Sequence, residues 1–366
     1  CYTYEGGFVC NAKDGWGKIT WRSGDSYVGS FSSNLMHGNG TFQWSNGESY
    51  HGEFRLGQIH GFGKKYTSEG DEIEGQWKDG VCEGWTTKVY ACGDTHEGHY
   101  LNDERNGYGL YVWSAGDRYQ GEWKDGKMDG RGVRTFAGGC VHNGEWKEGV
   151  AHGHGVRTFP NGDRHEGYYS NGMRNGFGTY SWVCGDRYVG EWKDGRMCGM
   201  GAKELAGGDV YDGEWKDDQA HGMGVKTFTT GDVHTGLYQY DRREGHGLFE
   251  FANGDEYNGN WECGIQSGWG KYRYAITGDM FEGRWERGKR HGPGYLRIRS
   301  GGLYLETWVH GVRQFRLQVF KVTGSPPLQD LWEMTKGMFS ETSSDELHAD
   351  ADWNGCMKAY FLDPSV

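Results

Sequence analysis

What is scarce in this 366-residue sequence excludes several kinds of protein before any motif is read. Proline occurs 5 times and glycine follows no three-residue period, which excludes a collagen and a proline-rich linker. Leucine, isoleucine and valine are sparse, so two globular domains with aliphatic cores do not fit the length. No apolar run approaches the roughly 20 residues that cross a bilayer as a helix, and no charged-then-apolar signal segment opens the chain. Basic residues are outnumbered, 39 to 51, giving a net charge of −12; this argues against nonspecific nucleic-acid or anionic-lipid binding and favours protein partners. The nine cysteines have neither disulfide-framework nor Cys-x-x-Cys spacing, so free thiols in a reducing, cytoplasmic setting are expected.

What is abundant is glycine, 67 residues, and aromatic side chains, 15% of the chain with 17 tryptophans. They recur with a period of 23. The first glycine of each unit falls at Gly6, Gly29, Gly52 and onward to Gly259, then at Gly283 after one inserted residue near 275–278. An aromatic follows two residues later, a second glycine at plus nine and a third at plus eleven, where Thr86 is the one departure. In Tyr119-Gln120-Gly121-Glu122-Trp123-Lys124 the rings and the glycine share one strand face, and Asp125-Gly126 turns the chain. Each unit therefore reads as one β-hairpin, and glycine in a strand interior implies a ring lying flat against the backbone. The predicted fold is all-β: an elongated single-layer antiparallel β-hairpin solenoid of thirteen units over residues 2–303. Its 26 strands, at about 4.8 Å each, predict a rod on the order of 120 Å.

The pattern Tyr-x-Gly-x-Trp-Lys-Asp-Gly-x-x-x-Gly-x-Gly, as in Tyr188–Gly201, resembles the membrane-occupation-and-recognition-nexus (MORN) repeat over roughly residues 2–308. The resemblance implies ribbons that scaffold cytoskeletal, ciliary and membrane-junction assemblies, sometimes as homodimers joined near their C-termini. Residues 304–323 read as a degenerate capping unit and final strand, since Tyr304 and Trp308 remain while the glycine between them is lost. In the tail, 324–366, a helix is predicted near 326–339, with Ser325 capping it and Leu328, Leu331, Trp332 and Met338 on one stripe. That stripe either plugs the open end of the solenoid or meets a second copy or a partner. Trp308, Phe315, Leu331 and Trp332 are thus the candidate self-association or capping residues, because an open meander leaves unpaired strands at its ends.

Catalytic constellations are missing. Glu122, Glu145, Glu191 and Glu214 recur once per unit, whereas a catalytic pair breaks the symmetry at one place. His152 and His154 sit two apart as metal ligands on a strand would, but His37, His60, His221 and His291 occupy the position of His152 in other units, which reads as a turn position. His96, His142, His165 and His234 fill the slot held elsewhere by tyrosine. The Gly-x-Gly pairs lack the third glycine and the strand-to-helix context of a nucleotide loop. The expectation is no enzyme, no cofactor and no bound metal. Polar residues alternating with the rings, such as Gln120, Glu122 and Lys124, are the candidate partner-facing set for cytoskeletal or ciliary proteins. The alternative is a membrane adaptor reading phosphoinositides through Arg242, Arg243, Lys289 and Arg290.

Overall fold

The computed structural model describes residues 1–319, which form one antiparallel sheet of 28 strands without a helix among the described residues. Numbered in chain order from β1 (Tyr2–Val9) to β28 (Val312–Val319), every strand pairs with its sequence neighbours, so the sheet is an uninterrupted meander. The thirteen predicted hairpins supply 26 strands, and the capping unit adds β27 (Leu303–Val309) and β28. The final strand begins at Val312, ahead of the predicted start at Phe315, because a two-residue turn at His310-Gly311 lets pairing resume at once. The predicted helix and the remaining tail, with Leu331 and Trp332, lie outside the described residues.

Strand β11 (Arg118–Lys124) and strand β12 (Lys127–Thr135) show how one unit closes. Asp125 and Gly126 both have positive φ, 48° and 76°, as a two-residue type I′ hairpin turn demands. Pairing then slips: Trp123 faces Met128 but Gly121 faces Gly132, so residues 129–131 bulge opposite Glu122. The bulge is held at Gly130, with φ 96°. The strand thus starts three residues before the Gly-x-Gly pair, and His152 and its equivalents lie inside strands beside this bulge, not in turns.

Beyond the bulge, glycines stand opposite glycines: Gly121 pairs with Gly132, and Gly132 with Gly144 of the next unit. A trough without side chains therefore crosses the sheet. The Tyr119 ring lies in it, so close that a Cβ on Gly132 would come within 2.3 Å of the tyrosine oxygen. Tyr119 is fully buried, meets Trp123 edge-on at 5.2 Å, and meets Trp146 of the next unit at 5.5 Å. Trp146 Nε1 in turn donates to the Gly132 carbonyl oxygen at 3.1 Å. With no second layer, this interlocked row of rings is the core, and each unit completes its neighbour's.

Two units depart from the pattern in a compensating way. Where Thr86 occupies the trough opposite Gly75, Ile73 replaces the ring that would have lain there. In the cap both glycines are gone: Glu306, 1% exposed, and Arg316 pair across the strands, and Arg316 stacks on Tyr304 at 4.8 Å. Glu306 accepts from Arg316 Nε at 2.6 Å and from Trp308 Nε1 at 3.1 Å, so the buried carboxylate is neutralised and hydrogen-bonded.

Candidate functional site

The two sides of the sheet are chemically different. On the ring face, cations lie over aromatic rings or against carboxylates: Arg105 over Trp123 at 4.4 Å, Arg174 over Trp192 at 4.2 Å and Arg243 over Trp261 at 4.1 Å. Each of these guanidinium groups also donates to the turn glycine of the next hairpin, at Gly126, Gly195 and Gly264. They recur every 69 residues, together with a histidine in the tyrosine slot and a tyrosine in the tryptophan slot, as in His96 and Tyr100. Each arginine stands directly opposite that tyrosine across the strands, which makes three hairpins a higher-order unit.

Those histidines are fully buried. His96, His165 and His234 share a hydrogen bond between Nδ1 and the hydroxyl of Tyr100, Tyr169 and Tyr238 at 2.7–2.9 Å. His142 has no partner for either nitrogen. Burial, reinforced by nearby arginines, pushes all four well below the ordinary histidine range, to about 3 for His96 and His165 and about 4 for His142 and His234. They are neutral packing groups, as their replacement of tyrosine implied.

The opposite, open face carries the residues that alternate with the rings. Gln120, Glu122 and Lys124 are all exposed there, while Tyr119, Gly121 and Trp123 are buried. The recurring glutamates are also tethered: Glu191 Oε1 accepts the Met200 amide at 3.1 Å, Glu214 the Met223 amide at 2.9 Å and Glu53 the Phe62 amide at 3.2 Å. A Cβ on Gly130 would collide with Glu122, so the bulge glycine exists to let this carboxylate fold over it. In these three, one carboxylate oxygen staples the bulge, a structural role for the recurring acid. Between these acids the middle residue of Gly-x-Gly projects outward, and Trp16, Phe62, Tyr108, Phe177 and Met200 are exposed in this way, as is Trp85 between Gly84 and Thr86.

Sequence reasoning missed one ladder. At ten inter-hairpin loops an aspartate Oδ1 accepts the backbone amide twenty residues onward, as Asp117 does from Ala137 at 2.7 Å and Asp94 from Ser114 at 2.8 Å. The second oxygen commonly takes a ring-face donor, such as Arg134 at 2.7 Å or Tyr111 at 2.6 Å. The Ala137 amide and Arg134 hold the Asp117 carboxyl below its ordinary range. The recurring Gly-Asp step was the available signal, but its partner lies in the next repeat.

Of the basic candidates, Arg243 is stacked on Trp261, and Arg290 sits over Phe281 at 4.0 Å and donates to the Tyr274 hydroxyl. Arg242 and Lys289 are exposed beside hairpin turns. Trp308 packs against Phe281 at 6.0 Å, and Phe315 is 46% exposed on the edge strand. The His154 ring packs edge-on against Tyr168, and neither His152 nor His154 belongs to a group of three possible metal ligands among the described residues. Among the described residues, Glu286, His291 and His310 bring possible ligand atoms within 4.8 Å of one another. There His291 Nδ1 accepts the His310 amide at 3.4 Å, and its Nε2 lies 3.4 Å from a Glu286 carboxylate oxygen. No helix among the described residues is long and apolar enough to cross a membrane.

The family model of the MORN repeat matches this chain thirteen times, from residues 4–26 to 281–303. Its shortest match, 74–84, begins just after Ile73 and stops before Thr86, where ring and glycine are lost together. No curated protein matches the chain. Among solved structures, the TCP domain of Drosophila melanogaster SAS-4 in complex with a proline-rich motif of Ana2 is 16% identical, covering 43% of this chain and 84% of that one, with a TM-score of 0.29. Virginiamycin B lyase from Staphylococcus aureus is 10% identical over 84% of this chain and 100% of its own, with a TM-score of 0.13. A streptogramin B lyase is 11% identical over 83% and 94%, also with a TM-score of 0.13.

Proposed function

This chain belongs to the MORN repeat family, and from that premise we propose that it is a non-enzymatic scaffold whose open face holds protein partners in a cytoskeletal or ciliary assembly. The observation that carries the reading is the asymmetry of the sheet. One face is consumed by interlocked rings and neutralised cations, while the other presents a repeating row of exposed aromatic, methionine and carboxylate groups. Repetition of one pattern along the ribbon suits an extended or periodic partner better than a small molecule. The protein acts in the cytoplasm, attached to the cytoskeleton. It pairs with a second copy through the C-terminal end, where β28, the last strand among the described residues, exposes Val312, Phe315 and Leu317 beside Trp308. Stacking removes Arg243 and Arg290 from the headgroup set and leaves the phosphoinositide reading without support from that pair.

Proximity labelling in a ciliated cell tests the assignment, comparing the whole chain with a variant carrying Trp85→Ser and Tyr108→Ser on the open face. Cytoskeletal or ciliary proteins should be enriched and should fall away in the variant. Identical labelled sets from the two proteins, or headgroup-specific capture by phosphoinositide vesicles, would overturn it. Sedimentation of the whole chain at micromolar concentration checks the dimer, and a monomer there removes that part.

A further inference from the structure

The capping unit lacks a tie that joins full repeats to one another. Tryptophans such as Trp261 and Trp285 donate through Nε1 to a trough glycine of the unit before, Gly247 and Gly270, both at 3.3 Å. At the cap, Trp308 Nε1 donates instead to Glu306 in its own strand, and Glu306 and Arg316 stand where trough glycines would be. The cluster of Glu286, His291 and His310 lies at this junction, and its members come from three places. Glu286 ends β25 (Met280–Glu286), His291 lies in the bulge of β26 (Lys289–Arg297), and His310, with φ 48°, opens the turn between β27 and β28. The two imidazole rings are 4.9 Å apart at their centres. The same three positions recur in every hairpin unit, and only here do all three carry histidine, cysteine or a carboxylate. Elsewhere they are Arg55, His60 and Asp79, for example, or Lys147, His152 and Asn171. Folding of the hairpin therefore does not demand this set.

We propose that Glu286, His291 and His310 bind a zinc ion that pins the capping hairpin, β27 and β28, to the last full repeat. Two imidazole nitrogens and a carboxylate form a mixed nitrogen and oxygen set that suits zinc, whereas calcium and magnesium call for oxygen ligands. Ligand atoms around a tetrahedral zinc stand about 3.3 Å apart. Glu286 and His291 already have that separation, and His310, exposed in its turn, completes the set by rotating its side chain. Water takes the fourth position. When His291 Nε2 holds the metal its proton sits on Nδ1, and the His310 amide, 3.4 Å from that nitrogen, turns to solvent. Of the cations nearby, Arg290 is held over Phe281 on the ring face. Arg287 and Lys289 flank Glu286 at the hairpin turn, and neither forms an ion pair with it among the described residues. Their charge keeps the affinity moderate.

The test adds zinc to the whole chain, stripped of metal and kept under a non-thiol reductant. Calorimetric titration should give one zinc per chain with a dissociation constant on the order of micromolar. Amide exchange should slow in β27 and β28 and stay the same in β11 and β12. Glu286→Gln, His291→Asn and His310→Asn each install a residue that another unit carries at the same position, Gln239, Asn175 and Asn171, so the metal-free melting temperature should hold. Each should weaken binding at least about tenfold; should one of them lower the melting temperature, the other two decide. His152→Asn should leave binding unchanged. Cobalt in place of zinc should show visible d–d bands without the near-ultraviolet band of a thiolate ligand, which separates this site from the cysteines. Zinc binding that the three substitutions leave intact, an equal loss from His152→Asn, or a thiolate band overturns the inference. So does one metal per two chains, which would make the ion a bridge between copies, or binding that leaves exchange in β27 and β28 unaltered.

Discussion

Gly130 and Gly132 lie two residues apart in one strand and are required for unrelated reasons. Gly130 takes a positive φ beneath the Glu122 carboxylate, whereas Gly132 has ordinary strand geometry and is needed because the Tyr119 ring occupies its Cβ position. Gly132→Ala should therefore push the ring out of its trough and cost about 1–3 kcal/mol, as overpacking does. Urea denaturation measures it. Thr86 is the natural version of this change, tolerated because Ile73 has replaced the ring. His142 gives a second case, since burying both ring nitrogens without partners is unfavourable, and tyrosine there would restore the Tyr119 arrangement, whose hydroxyl donates to the Glu122 carbonyl at 3.0 Å. His142→Tyr should stabilise by roughly 1 kcal/mol. The pH dependence has a definite sign: unfolded histidine titrates near 6.5 and the buried ring near 4, so stability is complete above pH 6.5 and declines as pH falls toward 4, by up to about 1.4 kcal/mol per pH unit. Melting scans at pH 7 and pH 5 should show a smaller difference for the tyrosine variant; an unchanged difference refutes the assignment.

At the scale of the hairpin, what was legible in sequence was whatever repeats within one unit. Alternation placed Gln120, Glu122 and Lys124 outward and Tyr119 and Trp123 inward, and Asp-Gly marked the turn. The bulge was illegible, because it is defined by a partner strand's register and not by spacing along one strand. The same holds for Asp117, whose amide partner is twenty residues away, and for Arg243 and Arg290, which read as free cations because the rings beneath them arrive with neighbouring strands. Capping was readable as a lost glycine, but its device, a buried carboxylate held by Arg313, Arg316 and Trp308, was not. Glu306→Ala should release Arg313 and Arg316, which are more than a third exposed, and leave the Trp308 Nε1 without its acceptor, destabilising the end hairpin by about 1–3 kcal/mol. Amide hydrogen exchange should then accelerate in β27 and β28 while β11 and β12 stay protected.

The molecule as a whole is a one-dimensional object. Its 28 strands, spaced about 4.8 Å, give a ribbon on the order of 130 Å before twist shortens it. Small-angle scattering of the whole chain should show a rod, with a radius of gyration well above the about 21 Å of a compact chain of this length. A value near 21 Å would refute the open meander. The three-hairpin recurrence of Arg105, Arg174 and Arg243 has a further consequence for such an object. A cut between His96 and His165, repeated 69 residues onward, exposes two ends with the same ring, the same guanidinium and the same turn glycine waiting for it. The block between them is a cassette. Splicing one out or in restores every seam while changing reach in steps of about 29 Å, so this protein's length is a countable quantity, adjustable by duplication without the invention of a single new contact.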